Sequence, residues 1–424
     1  MKNLLYTLLF ISMSLTSFSA EVLVQDSVET GPTYKNDVFY SLHNTNNTVT
    51  ADAKEWDIAF EIIGAGYSIL SNDGWGVQVY HKKGMTAEDF ANTIDVEDVK
   101  ANWKQLYNST ETWTVGAFIS NKDPENDFDL GWGEYSQATH SVYATTFYVV
   151  KTMSGKWKKL MIDDLTARIY TFTIANLDGT ESVVRTIKKD DFLNRNFAYF
   201  SIDNDKSLDR EPVIADWDIT FGKYINMEGD NKDTPYPVTG VRTNPKISSI
   251  RVGNSNPATV AVPNGDLFND NITNIGSNWK RFDGTKFVVS DTLAFFLYRF
   301  ETQKTFRLIF NGFGGSASGK YLFKHSEVAT SVSDNETGNK FSLSVYPNVV
   351  SKGENVNLLT SIEQNDNAIF EVYSSEGVLV WKSDFSSESN FSSINLPTNN
   401  LSSGMYLVSL RNRLGRATQK LIVE

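Results

Sequence analysis

The run Trp56-Asp57-Ile58-Ala59-Phe60 recurs as Trp217-Asp218-Ile219-Thr220-Phe221, 161 residues later (217 − 56). Read as strands, both copies place Trp, Ile and Phe on one face and Asp with a small residue on the other. Aromatic and β-branched side chains suit a pleated face that packs on a core. Five residues match by chance often enough, so the surroundings decide. Phe39-Tyr40-Ser41 is answered by Tyr199-Phe200-Ser201, offset 160 (200 − 40), and Gly76-Val77 by Gly240-Val241, offset 164 (240 − 76). Asn102-Trp103-Lys104 is answered by Asn278-Trp279-Lys280, offset 176 (278 − 102). Phe147-Tyr148-Val149-Val150 is matched with Phe295-Phe296-Leu297-Tyr298 and Lys159-Leu160 with Arg307-Leu308, both at offset 148 (295 − 147 and 307 − 159). Order is kept while spacing drifts, as expected of duplicated strands joined by variable loops. The reading is two tandem copies of one β-domain, 35–185 and 195–328.

An all-β fold suits the rest of the chain. Tyr-, Phe- and Val-rich alternating runs recur, and apolar periodicity of helix length is scarce. Thr86 to Gln105 is the best short helix, acidic early and with Lys100 and Lys104 late, as the helix dipole prefers. Tyr143 to Lys151 and Lys156 to Asp163 read as two strands joined by a tight turn. At 40% hydrophobic, 13% aromatic and 21% charged, the 424 residues describe an ordered globular protein with room for two or three cores. A net charge of −12 with no basic cluster argues against a nucleic-acid partner.

Residues 1–19 read as an export signal, with Lys2 at the positive end, an apolar stretch from Leu4 to Leu15, and small residues Ser17, Ser19 and Ala20. Cleavage after Ser19 or after Ala20 both remain open, the first slightly favoured. No other run approaches the length of a membrane span, so no transmembrane segment is expected in the mature protein. With no cysteine in the chain, disulfides and thiolate metal sites are excluded. Residues 329–340 are polar and linker-like. Short strands separated by Gly and Asn turns then fill 341–424, a pattern that fits a small Ig-like β-sandwich.

That last unit resembles the type A C-terminal sorting domain of type IX secretion cargo. The resemblance rests on Val345-Tyr346-Pro347-Asn348, on Val372-Tyr373-Ser374-Ser375-Glu376-Gly377, on Leu401-Ser402-Ser403-Gly404-Met405-Tyr406-Leu407-Val408, and on the closing Lys420-Leu421-Ile422-Val423-Glu424. Tyr346, Pro347, Asn348, Gly404, Tyr406 and Lys420 are the residues singled out; Val349 stands where the family usually has a second Pro. The resemblance implies handling by the type IX translocon, removal of this domain, and a destination at the outer-membrane surface or outside the cell.

The tandem units resemble the HmuY-like family of secreted haem-binding β-proteins. The shared features are Trp-Asp-Ile-x-Phe, the Gly-Val strand, the aromatic strand before Lys-Leu or Arg-Leu, Tyr170-Thr171-Phe172-Thr173-Ile174 leading to Leu177-Asp178-Gly179, and Tyr236-Pro237-Val238-Thr239-Gly240-Val241. Members of that family clamp haem iron between paired His or Met side chains, and many are lipoproteins. Here the anchoring Cys is lacking, and the sorting domain would take over that role. No ligand pair is placed by motif. His81 and His140, with Met85 and Met153 as alternative donors, are the haem-ligand candidates, because an axial pair needs imidazole or thioether donors facing each other across the porphyrin.

Asp123, Glu125, Asp127 and Asp129 space oxygen donors as an irregular calcium loop would, although a solvated acidic loop explains them too. Trp75 and Trp132 are candidates for stacking on a glycan. Nucleophile elbows, zinc-protease motifs and phosphate loops are missing. Asp57 and Asp218 are a tempting carboxylate pair, but hydrogen bonds to nearby backbone suit them better. The sequence thus points to an exported, non-catalytic binding protein. Haem or a related tetrapyrrole is the first ligand class, and a surface adhesin or glycan-binding scaffold is the alternative.

Overall fold

A computed structural model describes residues 21–328 apart from 64, 65, 230, 232 and 264, and residues 342–423 apart from 347, 362–366, 375–377, 387–390, 413 and 414. The export signal and the linker therefore lie outside the described residues. Contacts divide the chain into two compact units, Met1–Thr330 and Ser331–Glu424.

The first unit is two β-sandwiches. In one, a long sheet has the order Val183–Lys188, Ile169–Asn176, Trp157–Thr166, Tyr148–Lys151, Gln78–His81, Lys104–Leu106. It faces a short sheet ordered Lys206–Leu208, Phe197–Ser201, Ile58–Glu61, Ile69–Ser71. Ile58, Phe60 and Phe200 of the short sheet meet Tyr148, Leu160, Tyr170 and Phe172 of the long one in a single buried core. In the other sandwich the long sheet runs Val24–Glu29, Lys320–Val328, Lys304–Phe313, Ala294–Arg299, Ile247–Val252. Its short sheet is Thr234–Thr243, Ile219–Glu228, Asn36–Tyr40, Val49–Asp52. Val38, Tyr40, Ile219 and Phe221 close on Phe295, Leu308, Phe310 and Phe323.

The two sequence copies exchange strands. Asn36–Tyr40, from the first copy, pairs with the second Trp-Asp strand, Tyr40 beside Ile219. Phe197–Ser201, from the second copy, pairs with the first Trp-Asp strand, Phe200 beside Ile58. One sandwich is thus continuous from Ile58 to Leu208 and sits between the Val49–Asp52 strand and the Ile219–Glu228 strand of the other. The division 35–185 and 195–328 cuts across both pairings.

The sequence correspondence between the two Trp-Asp regions extends to strand details. The strand Trp157–Thr166 carries a bulge between Ile162 and Asp164, and Lys304–Phe313 carries one between Phe310 and Gly312, 148 residues on (310 − 162). One sequence offset is corrected by a residue. Tyr148 pairs with Leu160 while Phe295 pairs with Leu308, so the counterpart of Tyr148 is Phe295, an offset of 147 (295 − 148). The second turn is a residue longer, and a one-residue slip in a strand would turn its core face outward. The tryptophans are also repositioned. Ile58 and Phe60 enter the core, but the strand begins only at Ile58, and Trp56 packs on the opposite face with Ala59, Leu70 and Tyr199.

Each long sheet has its outer face covered by a loop held by a buried cation. Lys159 donates to the carbonyls of Phe90 and Asn92 at 2.6 and 2.8 Å. Its counterpart Arg307 donates to those of Pro257 and Val260 at 2.9 and 2.8 Å, and Glu21 closes over it at 2.6 Å. The expected helix over Thr86–Gln105 is partly strand and turn. A 3-10 turn spans Ala87–Ala91, and the α-helix is confined to Val96–Asn102, capped by Asp95.

The second unit pairs a three-stranded sheet (Ser342–Tyr346, Asn355–Ser361, Phe391–Pro397) with a five-stranded one. The latter is ordered Val349–Val350, Gly415–Val423, Gly404–Asn412, Asn367–Ser374, Leu379–Ser386. Leu358, Phe370, Val372, Val408, Leu410 and Leu421 form its core.

Candidate functional site

The duplicated aspartates cap the exchanged strands. Asp57 accepts the Met153 N–H at 2.7 Å on one oxygen and the Ile202 N–H at 2.7 Å on the other. Asp218 accepts the Leu42 N–H at 2.6 Å, the equivalent of Ile202, and pairs with the guanidinium of Arg299. Burial raises the Asp57 carboxyl, with backbone donors pulling against it. Burial pushes Asp218 up as well, but the hydrogen bond from His43 and the charge of Arg299 outweigh it and hold the group low. Ser41, His43 and Asp218 lie close together, Ser41 Oγ 2.7 Å and Asp218 Oδ2 3.2 Å from His43. Both contacts use Nδ1, whereas a nucleophile relay needs one ring nitrogen for each partner. Ser41 is fully buried. The cluster is a cap, not a charge relay.

Two asparagines missed in the sequence complete these caps. Asn72 donates to the carbonyls of Ala53 and Trp56, and Asn244 donates to those of Ile214 and Trp217. Ser71-Asn72 and Thr243-Asn244 share an offset of 172 (244 − 72), a signal that was present but lies between repeats of weaker identity.

The haem-ligand candidates are dispersed. His81 is half-buried, its Nε2 3.1 Å from Thr146 Oγ1 and its ring against Tyr148; burial lowers its pKa. His140 sits exposed in the turn between Gly133–Ser136 and Ser141–Ala144, 2.9 Å from the Tyr135 hydroxyl. Tyr80 aligns with Val149 and hence with Lys159, while Tyr143 aligns with Asp164. The two histidines are therefore offset by roughly 20 Å along the sheet. Met85 packs in the outer-face cluster and Met153 against the inner core. His81 and Met85 both touch Thr146, Met85 through its carbonyl, which accepts the Thr146 hydroxyl at 2.8 Å; His140 and Met153 lie in other parts of the unit.

In the acidic loop, Asp129 accepts the N–H groups of Asp123 and Gly131, and Asp123 accepts that of Glu125. The carboxylates close turns, and among the described residues no three acidic or histidine groups converge on one point. Trp132 must be corrected as a glycan platform: it is fully buried in the core, its indole N–H on the Tyr67 carbonyl. A ring with no exposed face has nothing to offer a sugar. Trp75 is different. It is half-buried beneath two ammonium groups, Lys223 at 3.8 Å and Lys54 at 4.7 Å from the ring centre, and Lys223 also lies 5.6 Å from the ring of Tyr34. Burial and then the like charge of Lys54 lower the pKa of Lys223. Among the described residues neither ammonium has a carboxylate within ion-pair distance. Gly74 allows this corner to form, because a Cβ there would stand 2.6 Å from the Lys223 carbonyl.

The short sheets face each other across a polar junction. Arg210, almost fully buried, donates to Asp37 at 3.0 Å, the Asp52 carbonyl at 2.9 Å and Glu55 at 3.1 Å. It thus fastens the chain's first crossing between sandwiches to the second, on which Arg210 lies. Glu211 accepts the N–H groups of Asn196 and Phe197 and the Tyr199 hydroxyl. Burial raises Glu211 to about 7 in spite of those donors. The junction encloses about 30 Å³, room for one or two waters and far below the several hundred Å³ of a cofactor pocket.

In the second unit Tyr346 ends its strand, and Pro347 lies outside the described residues. The Asn348 carbonyl accepts the Ile422 N–H. Gly404 opens the strand that carries Tyr406, whose hydroxyl donates to the Ser402 carbonyl at 2.7 Å. Lys420 is exposed opposite Leu407.

Residues 344–424 match the family profile described as "Secretion system C-terminal sorting domain". The chain is accordingly exported to the cell surface or the extracellular space, with type IX secretion handling its C-terminal unit. No curated protein matches the chain. Among solved structures, the crystal structure of CHIR-AB1 is 19% identical, covers 20% of this chain and 98% of its own, at TM-score 0.16. The CARDB domain of a Pyrococcus furiosus protein, solved with di-metal ions, is 14% identical over 20% of this chain and 86% of its own, at TM-score 0.15. A polysaccharide lyase is 14% identical over 60% of this chain and 39% of its own, at TM-score 0.18. Similarities this shallow carry no argument about ligand or activity.

Proposed function

We propose that the body of this exported protein is a non-catalytic binding scaffold whose ligand is an acidic glycan met at the Trp75 corner. The observation that carries the reading is the pair of ammonium groups, Lys54 and Lys223, held over a half-buried indole with no compensating carboxylate among the described residues. In a chain of net charge −12, such a local excess of positive charge favours an anion, and the ring edge offers apolar contact to a sugar. The spending of Asp57 and Asp218 on backbone caps supports the non-catalytic reading. Tetrapyrrole capture is favoured less, because its two histidine candidates, His81 and His140, are far apart along the sheet.

The test is binding of polygalacturonate and heparin at low ionic strength. Lys54→Gln with Lys223→Gln is expected to weaken it about tenfold, a loss of about 1.4 kcal/mol, and salt should weaken it similarly. Binding that ignores both changes refutes the assignment. A haemin titration of the same protein is expected to leave the free-haemin spectrum unchanged; a shifted Soret band would restore the tetrapyrrole reading.

A further inference from the structure

Several sheet edges among the described residues carry devices that discourage pairing. Thr234–Thr243 carries Pro235 and Pro237, Val183–Lys188 carries Arg185 and Lys188, and Lys104–Leu106 and Lys206–Leu208 are three residues long. Prolines, charges and brevity are the usual means of stopping strands from pairing with strangers. Leu379–Ser386, at the end of the five-stranded sheet in the C-terminal unit, has eight residues, no proline, and an exposed apolar lead in Val378, Leu379 and Val380; its two charges, Lys382 and Asp384, are of opposite sign, so they repel a strand that is not complementary and match one that is. Among the described residues it pairs only with Asn367–Ser374, so alternate N–H and C=O groups along its other side face outward.

The side chains of this edge are self-complementary. Trp381, Ser383 and Phe385 point toward the core side, where Trp381 and Phe385 pack on the buried cluster, while Lys382 and Asp384 are exposed on the other face. Place a second copy antiparallel with Ser383 opposite Ser383. Lys382 then faces Asp384 of the copy and Trp381 faces Phe385, each pair occurring twice by symmetry. Shifting the register by one residue puts inward side chains opposite outward ones. Centring it on Lys382 instead opposes two ammonium groups.

We propose that the C-terminal unit pairs with a second copy of itself through Leu379–Ser386, antiparallel and centred on Ser383. Two five-stranded sheets become one continuous sheet, with a two-fold axis through the serine pair. The chemistry selecting the partner is the double Lys382–Asp384 match. Cross-strand charge and aromatic pairs of this kind stabilise a strand pairing beyond its backbone bonds.

A chain without cysteine permits a direct test on the full-length protein. Directly opposed residues have Cα atoms about 4.5 or 5.5 Å apart, depending on whether the pair is hydrogen-bonded, and both lie within disulfide range. Ser383→Cys should therefore give a covalent dimer on mild oxidation, while Glu88→Cys, in an exposed loop of the other unit, should not. By sedimentation, Lys382→Asp should weaken association about tenfold or more. Adding Asp384→Lys to it should restore dimerisation. A monomeric chain whose Ser383→Cys thiol stays reduced overturns the proposal and leaves the edge to a strand of the secretion machinery. Dimerisation that is indifferent to Lys382→Asp overturns it as well.

Discussion

At the residue scale, the two Trp-Asp strands share the form of their aspartate caps and differ in their electrostatics. Asp57 is satisfied by backbone N–H groups, whereas Asp218 holds the buried Arg299 as well. Asp218→Ala is expected to cost about 3 kcal/mol in chemical denaturation, because it leaves the Leu42 N–H without its acceptor and leaves the buried Arg299 with Glu301 and the Ala215 carbonyl. The depressed Asp218 carboxyl contributes stability that is present above the ordinary carboxylate range and is lost as pH falls through its folded value. Glu211 works with the opposite sign. Its folded value is raised from 4.5 to about 7, so the unfolded chain gives up the proton first. Stability should fall as pH rises between about 4.5 and 7, by about 3 kcal/mol, and Glu211→Gln should flatten that slope in pH-dependent denaturation. Only part of this was legible in the sequence. Asp57 and Asp218 were marked by their tryptophans, but Arg210-Glu211 has no duplicate, and its burial depends on two chain crossings that no local pattern records.

At the scale of elements, strands were legible and their coverings were not. Alternation located strands at Lys156–Asp163 and Tyr170–Ile174 because buried faces impose a period of two, but the single strand read over Tyr143–Lys151 is two, Ser141–Ala144 and Tyr148–Lys151. Alternation could not detect that the second hairpin connection is one residue longer, which moved the true counterpart of Tyr148 from Phe296 to Phe295. Nor could a charged residue in a strand be read as a tether. Lys159 is wholly buried, and its ammonium draws the Phe90–Asn92 loop onto the outer face of the sheet. Lys159→Met keeps the stem and removes the donor, leaving two carbonyls without it, at a cost of about 1–3 kcal/mol. Hydrogen exchange should rise in residues 87–94 and remain slow in Ile169–Asn176. Equal loss of protection in both would refute a tether in favour of a general core defect.

Across the whole molecule, the repeat announced two copies of a fold, but not that each copy would complete the other. Pairing between Tyr40 and Ile219 spans 179 residues (219 − 40), and nothing local to either strand specifies it over the nearer alternative. The consequence is an unequal dependence on the N-terminal arm. Val24–Asp52 supplies an edge strand of one long sheet and two strands of a short one, and Val28, Val38, Tyr40 and Leu42 belong to that core. Each such side chain contributes about 1.5–3 kcal/mol when buried. Four together approach the 5–15 kcal/mol typical of a whole domain. The sandwich running from Ile58 to Leu208 draws nothing from the arm for its own core. Deleting residues 21–52 should therefore unfold the strands between Ile219 and Val328 while those between Tyr148 and Asn176 remain protected, read by peptide-resolved hydrogen exchange. Loss of protection in both together would mean that the junction at Arg210 binds the sandwiches into one cooperative body. Asp37 and the Asp52 carbonyl leave with the arm, removing two of that arginine's three partners, so the deletion tests the strand exchange and the clasp at once.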